Sequence, residues 1–264
     1  MSISSLSEEM SIVIFIVIEM KNLRNTILVI LVALGTVVAT AAGKSNASKS
    51  TVERPDMEQI KKEVLNPSGK YYYPNLMAKY ERNDTVMTLQ DYRYLYLGYV
   101  FQEDYNPYRR STHEYDVEEL YYKKDLNRQE LNKIIDCAEL ALQDDPFDLK
   151  QMNFLIYALQ KSGKVNRARI WQFRLNHILE AILSTGTGLD ADNAWIVIDP
   201  AHEYNILNFK NNLAEDVNFI APYYDYIKLK VSEEDKNSVE GYYFNIRYIL
   251  EEYNRKYPVT HDGE

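Results

Sequence analysis

One cysteine, four histidines and nine glycines in 264 residues leave little room for several kinds of chemistry. With Cys137 alone no intramolecular disulfide can form, so stability must come from a packed core. Set between Ile134-Ile135 and Leu140, that cysteine reads as a small buried residue rather than a nucleophile. The histidines miss the zinc-protease spacing: "HEYDV" from His113 and "HEYNI" from His202 put Val117 and Ile206 where the second histidine belongs. Glycine motifs are missing as well. There is no Gly-x-Ser-x-Gly elbow, no phosphate loop and no dinucleotide fingerprint, since Gly186-x-Gly188 lacks the third glycine and precedes a strand. "DADN" from Asp190 hints at calcium, yet an EF-hand loop begun there meets Trp195 and Ala201 where glycine and glutamate are required. The neighbouring acids Glu118-Glu119, Glu233-Glu234 and Glu251-Glu252 diverge by about 100 degrees on a helix and read as solvated faces. No cofactor or metal is expected, and no catalytic residue is assigned. An acid pair for hydrolysis assembled from distant positions stays open.

Basic residues are outnumbered, 30 against 39, for a net charge of −9. Acidic balance argues against nucleic acid and anionic lipid as partners, and Arg109-Arg110 and Lys123-Lys124 are pairs rather than a stripe. Long apolar stretches occur only near the N-terminus. Lys21 and Arg24, an apolar run from Ile27 to Ala42 and small residues at Ala39-Thr40-Ala41 have the order of a secretory signal, best begun at Met20. We expect residues 1–41 to direct export to the periplasm or outside, and their removal leaves a net charge of −8 and no membrane contact. The rival reading is an uncleaved anchor; at about 1.5 Å per residue the run covers about 24 Å, short of the roughly 30 Å hydrocarbon core. With no cysteine after the run, a lipid anchor has no attachment residue.

A flexible leader is expected over 42–54, a helical part over 55–185, a small antiparallel sheet with a helix packed on it over 186–257, and a tail over 258–264. Predicted helices begin at Asp56 and Pro74, run from about Leu89 to Phe101, and continue at 127–143, 149–161 and 165–183, with a short one at 116–123. Predicted strands are 195–198, 203–209, 224–230 and 241–247, before a closing helix at 248–256. The fold class is therefore α+β, mainly helical. Spacing around Ala141, Pro146, Gly163 and Ala168 resembles a tetratricopeptide hairpin, with Ile156 and Leu159 departing from that pattern and only about one and a half repeats visible.

Tyrosine is the residue in excess: 13 of 23 fall between residues 71 and 122. The block Tyr72-Tyr73-Pro74, Leu76-Met77, Tyr80, Asp84-Thr85, Thr88, Asp91-Tyr92-Arg93, Leu95-Tyr96, Gly98 and Tyr105-Asn106-Pro107-Tyr108, with Gly186-x-Gly188 and His202-Glu203-Tyr204 further on, resembles an exported domain-of-unknown-function family of Bacteroides-type gut bacteria. The resemblance covers roughly residues 55–257 and implies export and a compact domain, with no activity, cofactor or catalytic residue to carry over. Tyr92, Tyr96 and Tyr99 share one face of the 89–101 helix and read as core. Tyr105, Tyr108, Arg109 and Arg110 escape that periodicity and, with Arg93, are the expected binding residues for a protein, peptide or glycan. The expected function is a non-catalytic binding or scaffold protein; the alternative is a periplasmic hydrolase of dispersed Glu, Asp and His, with His202 and Glu203 as participants.

Overall fold

Thr88 begins the helix around which the others are arranged. In the computed structural model, which describes residues 52–230 and 239–258, its hydroxyl accepts the Asp91 N–H at 3.2 Å, while Asp91 Oδ2 accepts the Thr88 N–H at 2.8 Å. The expected signal segment, the leader as far as residue 51, Glu233-Glu234 and the tail from residue 259 lie outside the described residues. Helix α1 (Met57–Val64), helix α2 (Tyr73–Glu81) and helix α3 (Leu89–Gly98) come first, and α3 continues as a tight turn over Tyr99–Phe101. From Asp91 to Tyr99 every residue of this segment is buried. Its tyrosines meet other rings, Tyr92 edge-on to Tyr80 at 6.3 Å and Tyr96 edge-on to Phe147 at 5.8 Å. Such pairs add about 0.5–1.5 kcal/mol beyond the area they bury.

Where α1 crosses α3, Gly98 leaves no room for a side chain: a Cβ there would lie 2.7 Å from Val64 Cγ1. Gly98→Ala is therefore expected to destabilise by about 1–3 kcal/mol despite alanine's better helix propensity. Denaturant unfolding checks this, and adding Val64→Ala should recover part of the loss; an unchanged midpoint in the single variant would mean that the helices move apart freely.

Two one-turn helices, α4 (Thr112–Tyr115) and α5 (Glu118–Tyr121), replace the single short helix predicted over 116–123. The long helices α6 (Arg128–Asp144), α7 (Leu149–Lys161) and α8 (Val165–Leu183) follow within a residue of their predicted bounds. Two of the three starts are legible in side chains: Asn127 and Glu130 cap α6 reciprocally, and Asp148 accepts the Gln151 N–H at 2.9 Å to cap α7, while α8 begins after Lys164 without a side-chain cap. They pack consecutively, α6 on α7 and α7 on α8, and α8 also lies against α3. Ala141, Ala158 and Ala168 are buried between them.

The sheet departs from the expected pattern in two ways. Strands β1 (Trp195–Ile196), β2 (Ala214–Ile220), β3 (Tyr224–Leu229) and β4 (Gly241–Asn245) stand in the order β1-β4-β3-β2, and β1 runs parallel to β4, so the sheet is mixed rather than antiparallel. The predicted strand 203–209 is instead helix α9 (Ala201–Phe209). Its core positions include His202 and Glu203, so counting only apolar residues hides the helical period that burial at 202, 203, 206 and 207 displays. Asp199 Oδ1 holds the Ala201 N–H at 2.7 Å and Pro200, at φ −58, is already set for a helix. Strand β2 was not legible because "AEDVNFI" buries neither face. Helix α10 (Arg247–Lys256) closes the chain's described part, and one apolar core from Ile60 to Ile249 is shared by helices and sheet.

Candidate functional site

The segment after α3 is a loop fastened at many points. Gln102 Nε2 donates to Gly98 O at 3.0 Å, Asn106 Oδ1 accepts from the Tyr108 N–H at 3.1 Å and from Lys256 Nζ at 2.7 Å, and Arg109 donates to Asp144 O and Asp104 O at 2.7 and 2.8 Å. These bonds tie the loop to the end of α6 and to α10. Charged donors on carbonyl oxygens are among the stronger hydrogen bonds, which makes the loop a fixed surface.

The structure separates the five expected binding residues. Arg93 is withdrawn into the core, where Nη1 reaches Ser184 O and Oγ at 2.9 and 2.6 Å and Nη2 reaches Glu53 O at 2.8 Å. Tyr105, 6% exposed, is withdrawn too, its hydroxyl donating to Ile198 O at 2.8 Å. Both are corrected to anchoring residues: each spends its polar end on a distant backbone carbonyl, which a surface contact could not use. Arg109 lies half-buried as the loop's clamp, and Arg110, though exposed, turns its Nη1 to the buried Asp199, 3.5 Å from Oδ2.

Tyr108 remains at the surface, 40% exposed, with its ring edge-on to Tyr253 at 6.1 Å. Tyr253 meets Tyr257 at 5.1 Å, and Tyr257 is 60% exposed, so three rings form a row along α10 and just past its end. Sequence reasoning missed Tyr253 and Tyr257. The signal was their i, i+4 spacing, which places them on one helix face.

Arg110 leads to a cluster of ionisable groups centred on Asp199. Burial raises Asp145 to about 7, with Asp199 adding to the effect and Arg110 and Arg109 opposing it. Asp148 stands well above the usual carboxylate range, through burial first and the nearby Glu114 second. His202 sits among them without a free nitrogen. A carbonyl only accepts, so Nε2 donates to Phe147 O at 2.9 Å, and Nδ1 accepts from the Tyr96 hydroxyl at 2.7 Å. Tyr96 in turn accepts the Ile198 N–H at 3.2 Å. Burial lowers the His202 pKa, keeping the ring neutral, and its partners stand 55 and 106 residues away along the chain.

On the other side of α9, buried Glu203 and half-buried Asp225 form a carboxyl pair. Burial and Asp225 push Glu203 well up, while Asp225 is raised to about 6 by burial and held down by the hydrogen bond from Glu203. The proton therefore resides on Glu203, which donates to the Asp225 carboxylate. Among the described residues no three His, Cys, Asp or Glu side chains gather as metal ligands, and Asp190 is occupied by Asn193 at 2.8–3.0 Å.

The sequence model of a family described as a domain of unknown function (DUF4919) matches residues 58–255. No curated protein and no solved structure matches the chain.

Proposed function

The chain belongs to the DUF4919 family, and from that premise we propose that it is an exported, non-catalytic binding or scaffold protein for a protein, peptide or glycan. The observation that carries the reading is the ring row of exposed Tyr108, half-buried Tyr253 and exposed Tyr257, held by an internally bonded loop. Tyrosine offers a flat apolar face at small entropic cost together with a polar rim, which suits sugar rings and peptide side chains. Consecutive packing of α6, α7 and α8 supports a tetratricopeptide-like scaffold behind that surface. Export rests on the sequence from Met20 to Ala42.

Titration with a soluble polysaccharide panel and an immobilised peptide library tests the proposal. Tyr108→Ala and Tyr257→Ala are each expected to weaken the ligand found by about tenfold, roughly 1.4 kcal/mol, at an unchanged melting temperature. Binding indifferent to both substitutions would sink the reading.

A second reading, a periplasmic hydrolase, is favoured by the Glu203–Asp225 pair alone, since two carboxyls of divided protonation can supply an acid and a base. His202 has no part in it, with both nitrogens committed. Turnover of a glycoside or peptide that Glu203→Gln abolishes without loss of fold would replace the binding reading with this one.

A further inference from the structure

Among the described residues strand β2 ends the sheet, and its side facing away from β3 pairs with no other strand. Its backbone direction follows from the neighbouring ladders. Ile246 N donates to Tyr223 O at 3.0 Å and Leu229 N to Glu240 O at 2.8 Å, bonds that flank the pairs Tyr224↔Asn245 and Lys228↔Gly241. Those are therefore the non-hydrogen-bonded kind between β3 and β4, so the main-chain groups of Tyr224, Tyr226 and Lys228 turn toward β2. Their partners Ile220, Asn218 and Asp216 face β3 in return. By alternation, the N–H and C=O of Val217 and Phe219 point out of the sheet's edge.

The side chains of the same two residues lie on the sheet's core-facing side, because Val217 pairs with the buried Ile227 and Phe219 with Asp225. Yet that face is uncovered at β2, where Val217 is 37% and Phe219 57% exposed. Long edges with free ladder groups and apolar side chains are templates for another strand. The protective features gather at the other end of β2, where the register shifts between Ala214 and Asp216 and Glu215 pairs with Lys228 at 2.7 Å.

We propose that β2 docks on β2 of a second copy of this chain, antiparallel about a two-fold axis through Asn218. A two-fold axis perpendicular to the sheet keeps core faces on one side and allows only registers that pair odd residues with odd. Centring on Asp216 sets two carboxylates directly opposite, which is destabilising. Centring on Val217 sets Phe219 against Glu215. Centring on Asn218 sets Val217 against Phe219 twice, an aromatic and β-branched pairing on the core-facing side, and makes each of these the hydrogen-bonded kind. Asp216 then faces Ile220, and no like charges are opposed. The two four-stranded sheets become one continuous sheet.

Light scattering and sedimentation of the mature chain over about 1–200 µM test this, the range in which interfaces of modest area dissociate. A concentration-dependent dimer is expected. Phe219→Lys should raise its Kd by about thirtyfold or more, and Val217→Pro, which deletes an outward N–H and spares the bonds to β3, by about tenfold. Asn218 would stand opposite its copy at about 4.5 Å between Cα atoms, so Asn218→Cys should cross-link under mild oxidation while Glu215→Cys should not. Circular dichroism and the melting temperature confirm that each variant folds. A chain that stays monomeric at the highest concentration overturns the proposal, as does a dimer that both Phe219→Lys and Val217→Pro leave intact, and so does cross-linking at Glu215→Cys in preference to Asn218→Cys.

Discussion

Tyr96→Phe is expected to lower the unfolding free energy by about 3–5 kcal/mol, against about 1–3 kcal/mol for Tyr105→Phe. Both substitutions remove one hydroxyl from a buried ring, so the apolar packing is nearly unchanged. What differs is the number of groups left without a partner. Tyr105 serves only the Ile198 carbonyl. The Tyr96 hydroxyl accepts the Ile198 N–H and donates to His202 Nδ1, so its loss strands a backbone donor and a ring acceptor that burial keeps from water. Together the two tyrosines hold both polar groups of the Ile198 residue, where the chain leaves β1 and turns into α9. Chemical denaturation of the two single variants gives the comparison, and equal losses would show that His202 finds another donor. The double variant should lose less than the sum of the singles, because both act on the same residue.

Stability is expected to fall as pH rises, the reverse of a protein held by salt-bridged carboxylates. Asp145 is raised from 3.8 to about 7 and Asp225 from 3.8 to about 6, and burial also holds Glu203 and Asp148 well above the usual carboxylate range. A carboxyl raised on folding binds its proton more tightly in the folded chain, so its contribution is full below the unfolded pKa and is lost as pH climbs through the folded one. For Asp145 that amounts to about 4 kcal/mol between pH 4 and 7. His202, lowered by burial, works the other way: it costs stability as pH falls below its ordinary 6.5, and is silent above. Above pH 6.5, where His202 is silent, the raised carboxyls set the slope. Glu203→Gln should raise the melting temperature at alkaline pH and flatten its slope, because the amide donates to Asp225 without a proton to lose. Asp148→Asn keeps the cap on α7 and should flatten the same slope. Melting curves from pH 5 to 8.5 check both; a melting temperature that rises across this range in the unsubstituted chain would contradict the argument.

The predicted outline of helices survived because helix ends are local chemistry. Thr88 with Asp91, Asn127 with Glu130 and Asp148 each announce a start in three or four residues, and Gly163, at φ 72, announces a stop. Where core positions are filled by polar residues the outline fails, as at α9, whose buried His202 and Glu203 look like surface until their partners are known. An edge strand fails for the opposite reason, since β2 hides neither face and so carries no period.

For the tyrosines the division is sharper. Sequence alone determined that α3 is apolar enough to be buried and that the ring excess gathers in residues 71–122, since both follow from composition and helical spacing. It also determined that Cys137 has no disulfide partner and that familiar catalytic spacings are broken. Which hydroxyls turn inward was decided by tertiary structure alone. Tyr105 and Tyr108 are three residues apart in one loop, yet the first reaches Ile198 and the second lies on α10, because their partners stand 93 residues and more further along the chain. The same holds for Glu203 and Asp225, whose shared proton depends on a helix crossing a strand. Burial and proximity between distant segments set these roles, and neither is a property of the local sequence.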